Sequence, residues 1–382
     1  MLRHLVLIFI ILQILSFLFP PTALAIYDPS SLPNNKFGIH ILYPAELNDA
    51  AKLVNSSGGD WGYLTVPIQA GDKDLVKWQN FMDEARNHHI IPIIRLATEG
   101  DYFNTKVWRK PTPSDVLDFS NFLTSLSWPI KNKYIVVFNE VNRADEWGGK
   151  VDPADYAQVL SYAVTSFKSK SSDFFILPSG MDNASVNSSD AMNEYSFFSS
   201  MNQSVPGIFN QVDGISSHSY PNPGFSMPSS FLSAKSIDTF YFEKKYLEGL
   251  SSKSLPVFIT ETGWDQEKNS RQNISLFYKE AFEAVWNDQS VIAVTPFIFS
   301  AGTPPFSKFS FIDKEGAPNE IYLAYSSLGK KRGTPLIASE HKVLSASLPR
   351  NLPTKNFSQT STADTKALEK LRKILKTIFK FW

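Results

Sequence analysis

Eight short apolar runs, each followed by a stretch with helical spacing, set the tightest limit on what this chain can fold into. The runs are Phe37 to Leu42, Trp61 to Ile68, Ile90 to Leu96, Tyr134 to Phe138, Phe174 to Leu177, Val212 to Ser216, Pro256 to Thr260 and Ile292 to Phe299. They are brief, rich in β-branched and aromatic residues and nearly unbroken by polar ones, which is the pattern of a strand covered on both faces. Between and after them, apolar spacings of three and four predict helices over Ala45 to Asn55, Asp74 to His88, Pro113 to Ser127, Asp152 to Lys168, Asp190 to Met201, Thr239 to Leu250, Asn273 to Asp288 and Glu320 to Ser327. Regular alternation of buried strand and helix implies a parallel sheet with helices outside. Eight such units in roughly 300 residues fit a closed (β/α)8 TIM barrel. An open doubly wound sheet would usually announce a glycine-rich first turn, and none is present.

The ends of the chain read differently from its body. Met1 to Ala25 combines Arg3, an apolar run from Leu5 to Phe19, Pro20-Pro21 and Ala23-Leu24-Ala25, the layout of a secretory signal with an A-x-A cleavage site. The expected mature barrel is 26–329, secreted or extracytoplasmic. Residues 330–364, rich in Ser, Thr, Pro and Lys, read as a linker. Residues 365–382 form a basic amphipathic helix on paper, with Leu368, Leu371, Ile374, Leu375, Ile378, Phe379 and Trp382 on one face and lysines mainly on the other. Two readings of it stay open: a helix docked on the barrel wall, or a peripheral contact with an anionic membrane surface. The formal net charge of the whole chain is zero, which gives no pointer to nucleic acid. Cysteine is absent, which excludes disulfides, a thiolate nucleophile and Cys-ligated metal.

The chemistry lies where strands end, because a barrel of this kind carries its active face at the strand C-termini. In YIVVFNEVN, Asn139 and Glu140 close the fourth run; in LPVFITETGW, Glu261 closes the seventh. Two glutamates thus face one another across the mouth. Opposed carboxylates are what acetal hydrolysis needs: one protonates the leaving oxygen, the other attacks or activates water at the anomeric carbon.

NEVN and ITETGW at strands four and seven resemble the paired motifs of glycoside hydrolase clan A, retaining (β/α)8-barrel glycosidases that include families 5 and 39. The resemblance covers roughly residues 37–327, with its specific content in those two motifs and their flanks. It implies Glu140 as acid/base, Glu261 as nucleophile, and Asn139 as a ligand of the sugar 2-hydroxyl. In ISSHSYPNP it implies Tyr220 as the aromatic that hydrogen-bonds the nucleophile, with His218 two residues earlier on the same face as a substrate contact; a packed aromatic and a core histidine holding a backbone carbonyl are the other readings of the two. His40 resembles a sugar-binding histidine at the end of strand one, with a structural role as its alternative. Arg95 stands on strand three, where family 5 relatives often place an arginine on strand two. It reads either as a structural partner of Glu99 or Asp101 or as a cation beneath the carboxylates. Trp147 and Trp264 would make platforms for a pyranose ring, with packing under a loop as the other reading of Trp147. Strand eight departs from the clan, offering Phe297 and Phe299 where a tryptophan is common.

The activity implied is retaining hydrolysis of a β-linked oligo- or polysaccharide by a monomeric enzyme without cofactor. The carboxyl groups are expected roughly 5 to 5.5 Å apart, with Glu140 protonated and Glu261 ionised. Transglycosylation through the same site, and a barrel that binds sugar without turnover, are the alternatives. A metal hydrolase fits poorly, since the six histidines (His4, His40, His88, His89, His218, His341) form no HxH or HExxH pattern.

Overall fold

The computed structural model describes residues 26–338. Eight parallel strands alternate with helices: β1 (Gly38–His40), β2 (Gly62–Gln69), β3 (Ile90–Ala97), β4 (Lys133–Val136), β5 (Phe174–Leu177), β6 (Ile215–His218), β7 (Val257–Glu261) and β8 (Val291–Val294). They pair in the orders β1-β2-β3-β4-β5 and β6-β7-β8. The two sheets meet at a parallel bridge between Phe37 and Val294. On the other side the Asp213 N–H donates to the Ile176 carbonyl at 2.9 Å. This is an α/β fold consistent with the expected barrel.

Strand alternation explains how the middle is filled. Tyr63, Ile91, Ile93, Tyr134, Val136, Phe175, Leu177 and Phe258 belong to one interior cluster. Their neighbours Leu64, Ile90, Ile94, Ile135, Ile176 and Ile259 join the larger cluster packed under the helices. Gly38 belongs to the inner set because the space is taken: a Cβ there would lie 2.6 Å from Thr295 Cγ2 and 2.7 Å from the Tyr63 carbonyl oxygen.

The helices end close to their expected limits, and side-chain caps set several starts. Asp74 accepts from Val76 and Lys77 N–H ahead of Leu75–Asn87, and Thr112 with Asp115 forms a capping box on Pro113–Ser125. Two strands differ more. β6 begins three residues later than Val212 because the helix Ile208–Gln211 precedes it, and Asp213 turns its carboxylate onto the Ile176 N–H. β8 stops at Val294, well short of Phe299; beyond it the Phe297 N–H donates to the Thr262 carbonyl and the Phe299 N–H to the His40 carbonyl, outside the strand.

The expected linker also starts too early. Lys330 is buried, its ammonium 4.7 Å from the Phe37 ring centroid and bonded to Ser56 Oγ and the Tyr325, Ser326 and Leu328 carbonyls. Arg332 and Ile337 make bridges to Asp60 and Ile130. Residues 330–338 are therefore fastened to the N-terminal side of the barrel. The signal segment, the rest of the linker and the basic amphipathic stretch lie outside the described residues. Among the described residues no helix is long and apolar enough to cross a membrane.

Candidate active site

Period two carries polar groups above the interior packing. Ile91, Ile93 and Arg95 alternate inward on β3, which lifts the guanidinium one layer above the aliphatic side chains. His40 stands in the same way above Gly38 on β1, and His218 above Ser216 on β6. After β4 the backbone leaves the sheet through Phe138 at φ 69° and Glu140 at φ 37°. Left-handed backbone at two non-glycine residues is strained, and such strain gathers at functional sites. The turn is held by the Glu140 N–H, which donates to the Gly180 carbonyl at 3.0 Å.

The two expected carboxylates converge. An oxygen of Glu140, an oxygen of Glu261 and a ring nitrogen of His218 all lie within 4.8 Å of one another. His218 Nδ1 is 3.0 Å from Glu140 Oε1 and 3.7 Å from Glu261 Oε2. The Tyr220 hydroxyl donates to Glu261 Oε2 at 3.0 Å. On the other Glu261 oxygen, Arg95 Nη1 lies at 3.6 Å and His40 Nε2 at 3.7 Å. Arg143 Nη1 donates to Glu140 Oε2 at 3.3 Å while its Nη2 holds Asp145 at 2.6 Å.

These neighbours set the protonation of the pair. Burial pushes Glu140 up, but the hydrogen bond and charge of His218, backed by Arg143 and Arg95, outweigh it and hold the carboxyl below the usual glutamate range. Burial opposes charge on His218, yet Glu261 and Glu140 outweigh that in turn and raise it. One proton is therefore shared across the His218–Glu140 bond and sits mainly on the imidazole. His40 is driven well below the ordinary histidine value by burial and by Arg95 and His218, so it is neutral.

Above the carboxylates opens a cleft of about 580 Å³. Arg95, Asn139, Tyr220 and both glutamates line it, and Tyr102, Trp108, Phe225, Phe306 and Phe309 form its aromatic walls. Asn139 Oδ1 is buried without a hydrogen-bond partner among the described residues, which leaves an acceptor for an incoming hydroxyl. Arg95 is not engaged by Glu99 or Asp101: Arg109 holds Glu99, and Asp101 caps its own turn.

Four expected ligand contacts are corrected. His40 and His218 are buried and absent from the cleft lining; they touch carboxylates, not open space. Trp264 packs against Phe277, Tyr278 and Trp286 with its indole N–H on the Met227 carbonyl, away from the cleft. Trp147 lines the cleft but is buried, its N–H on Asp155 and its ring against Phe138 and Tyr156, so it offers no free face. At strand eight, Phe297 lines the cleft edge-on to His40, and Phe299 packs inward against Tyr322.

The trio Glu140, His218 and Glu261 has metal-like spacing, yet its facing atoms already bond to one another and to Tyr220. Two guanidinium groups add positive charge beside the same carboxylates, a setting that repels a cation.

Sequence reasoning missed Arg143, three residues past Glu140, although that spacing beside NEVN was a readable signal. It also missed the aromatic walls, whose residues come from the three separate connections after β3, β6 and β8 and share no local pattern.

A family model described as "Glycosyl hydrolase catalytic core" matches residues 107–325, more than half of the chain. Among curated proteins none matches. Among solved structures, a family 39 glycoside hydrolase from Bacteroides cellulosilyticus WH2 is similar at 15% identity and TM-score 0.55, over 79% of this chain and 65% of that one. The chain thus spans less than two thirds of that relative's length. A monomeric beta-xylosidase from Caulobacter crescentus CB15 is similar at 15% identity and TM-score 0.54, over 77% of this chain and 68% of that one. A GH5_18 protein from Bifidobacterium longum subsp. infantis is similar at 11% identity and TM-score 0.54, over 77% and 78% of the two chains. At these identities the likeness is one of fold.

Proposed function

The chain belongs to the glycosyl hydrolase catalytic core family, and from that premise we propose that it hydrolyses a β-linked glycan with retention, on a closed (β/α)8 barrel. The observation that carries the reading is the carboxylate pair at the ends of β4 and β7, with oxygens within 4.8 Å of one another. Retaining sites keep their carboxyl groups roughly 5 to 5.5 Å apart, whereas inverting sites leave roughly 6.5 to 9.5 Å for a water. The close pair favours direct attack.

In the proposed first step a Glu261 oxygen bonds to the anomeric carbon while the bond from that carbon to the leaving oxygen breaks. Glu140 delivers a proton to that oxygen. Because the proton sits mainly on His218 in the free site, it crosses the hydrogen bond to Glu140 Oε1 as the sugar displaces water and weakens the charged form of the pair. Tyr220 and Arg95 keep the Glu261 carboxylate fixed and stabilised before attack. In the second step Glu140, now ionised, takes a proton from water, whose oxygen bonds to the anomeric carbon and releases Glu261. A sugar hydroxyl in place of water would give transglycosylation by the same atoms.

The test is a screen of aryl β-glycosides and soluble β-glucans, mannans and xylans, with Glu261→Ala as the blank. Turnover by the natural chain, none by the variant, and rescue of the variant by azide with the inverted anomer are expected. Turnover that survives Glu261→Ala would overturn the assignment, and binding without turnover would leave a carbohydrate-binding barrel. We further propose that residues 1–25 direct export and that residues 365–382 contact a membrane surface; co-sedimentation with anionic vesicles, comparing the full chain with one ending at Asp364, decides the latter.

A further inference from the structure

Glu146, like Asp145 and Asp182, is a carboxyl of the cleft beyond Glu140 and Glu261, and the chemistry above does not use it. It ends the 3-10 turn Ala144–Glu146, which follows directly on the NEVN segment, and it lines the cleft half-buried. Its neighbours have partners. Arg143 is committed to Asp145 and Glu140, Arg95 stands against Glu261, and His218 bonds Glu140. Among the described residues the Glu146 carboxyl makes no hydrogen bond and no ion pair.

We propose that the Glu146 carboxyl is a substrate-binding group that donates a hydrogen bond to a hydroxyl of the sugar held beside Glu140. The inference rests on the reading of the cleft as a sugar site. An ionised carboxylate at this position would sit unpaired beside the Glu140 charge, which is unfavourable in a half-buried wall. Burial and Glu140 push Glu146 up to about 8, with Asp145 adding to the effect and Arg95 and Arg143 opposing it. At neutral pH the group is therefore neutral, with one O–H donor and a free acceptor. A donor facing the cleft without a protein acceptor calls for one on the ligand, and a ring hydroxyl supplies both an acceptor and a donor. The group takes no part in bond breaking, so its effect falls on binding.

Steady-state kinetics on whichever of p-nitrophenyl β-glucoside, β-xyloside or β-mannoside the natural chain hydrolyses test this with Glu146→Gln and Glu146→Ala. The His218–Glu140 pair titrates alike in all three chains, so the readout is each variant's KM relative to the natural chain at the same pH. KM of Glu146→Gln is expected to equal the natural value at about pH 6 and to fall below it by about pH 9, because only the natural chain loses its donor, with kcat alike in the two chains at each pH. Glu146→Ala raises KM roughly three- to tenfold over the natural chain at about pH 6, a gap that closes by about pH 9. Equal KM values for all three chains at each pH, or a ratio of Glu146→Gln to natural KM that does not change with pH, would overturn the proposal. Thermal melting confirms folding of each variant, and Glu146→Gln carries the test alone if Glu146→Ala does not fold. Should no glycoside be hydrolysed, calorimetric binding of xylo-, manno- and gluco-oligosaccharides is read in the same three chains. The pH pattern in binding alone sinks the glycosidase reading and sustains Glu146, and binding by none of the chains overturns both.

Discussion

His218 Nδ1 and Glu140 Oε1 lie 3.0 Å apart at the mouth of the barrel, and each moves the other's protonation in the opposite direction. The imidazole is raised and the carboxyl lowered. The expectation that Glu140 alone carries the acid proton thus becomes a statement about a pair. Activity at alkaline pH should last until the shared proton leaves, above the ordinary histidine value. In His218→Gln the proton must reside on Glu140 itself, so the alkaline limb of kcat/KM moves to lower pH. A limb that stays in place in the variant would show that the pair does not store the proton. The sign for stability follows from the raised histidine: its contribution is full below its unfolded value near 6.5 and is lost as pH rises through the higher folded value. The melting difference between the natural chain and His218→Gln should shrink across that window.

Tyr220→Phe removes the hydroxyl bonded to Glu261 Oε2 at 3.0 Å while keeping the ring that packs on Phe225 and Phe309. A hydrogen bond to a charged group is worth about 1.5–3 kcal/mol. A fall in kcat/KM of roughly ten- to a hundredfold is expected, with a melting point lowered by only a few degrees. An equal loss of stability and activity would make the tyrosine a packing residue instead.

The strands and the two glutamates were legible because each is written locally: continuous apolar runs mark parallel strands, and a polar residue at the end of such a run has no place in a core. Tyr220 followed only from the resemblance of ISSHSYPNP to the clan's pattern, and Arg95 from its place at the end of the third run, where two readings stayed open. Trp264 was misplaced because the residue past a strand can turn toward the mouth or under the helix Arg271–Glu280, and the motif does not fix which. The direction of His218 was equally hidden. Its contact with Glu140 joins residues 78 apart in sequence, and no local spacing encodes it.

A second buried acid pair lies outside the cleft. Glu194 and Glu243, on the helices Glu194–Ser204 and Thr239–Glu248, are almost fully buried, and among the described residues Glu243 has no hydrogen-bond partner meeting ordinary geometry. Burial raises Glu243 to about 7 against the opposing pull of Ser217, His218 and Glu194, and burial with Glu243 raises Glu194 well above its usual range. A raised carboxyl loses stability as pH climbs from the unfolded value near 4.5 toward the folded one, because only the unfolded chain ionises freely there. Glu243→Gln should therefore melt a few degrees higher than the natural chain at about pH 8 and gain less at about pH 5. Equal gains at both would remove the titration from the account.

Gly180 follows β5 and ties the two halves of the site together: its carbonyl accepts the Glu140 N–H at 3.0 Å, and its Cα faces the His218 ring. A Cβ there would lie 2.2 Å from His218 Cδ2 and 2.5 Å from Nε2, distances that real side chains do not tolerate. His218 is buried, so a shift of its ring to admit the Cβ disturbs the 3.0 Å bond to Glu140. Gly180→Ala should accordingly cost activity out of proportion to stability. A loss in kcat of roughly a hundredfold, the scale of a displaced acid/base group, is expected, along with a shift of the alkaline limb like that of His218→Gln. The double variant with His218→Gln should lose little more than His218→Gln alone, since both remove the same contact. Fully additive losses would place the effect of Gly180 on the backbone turn at Glu140 instead of on the histidine.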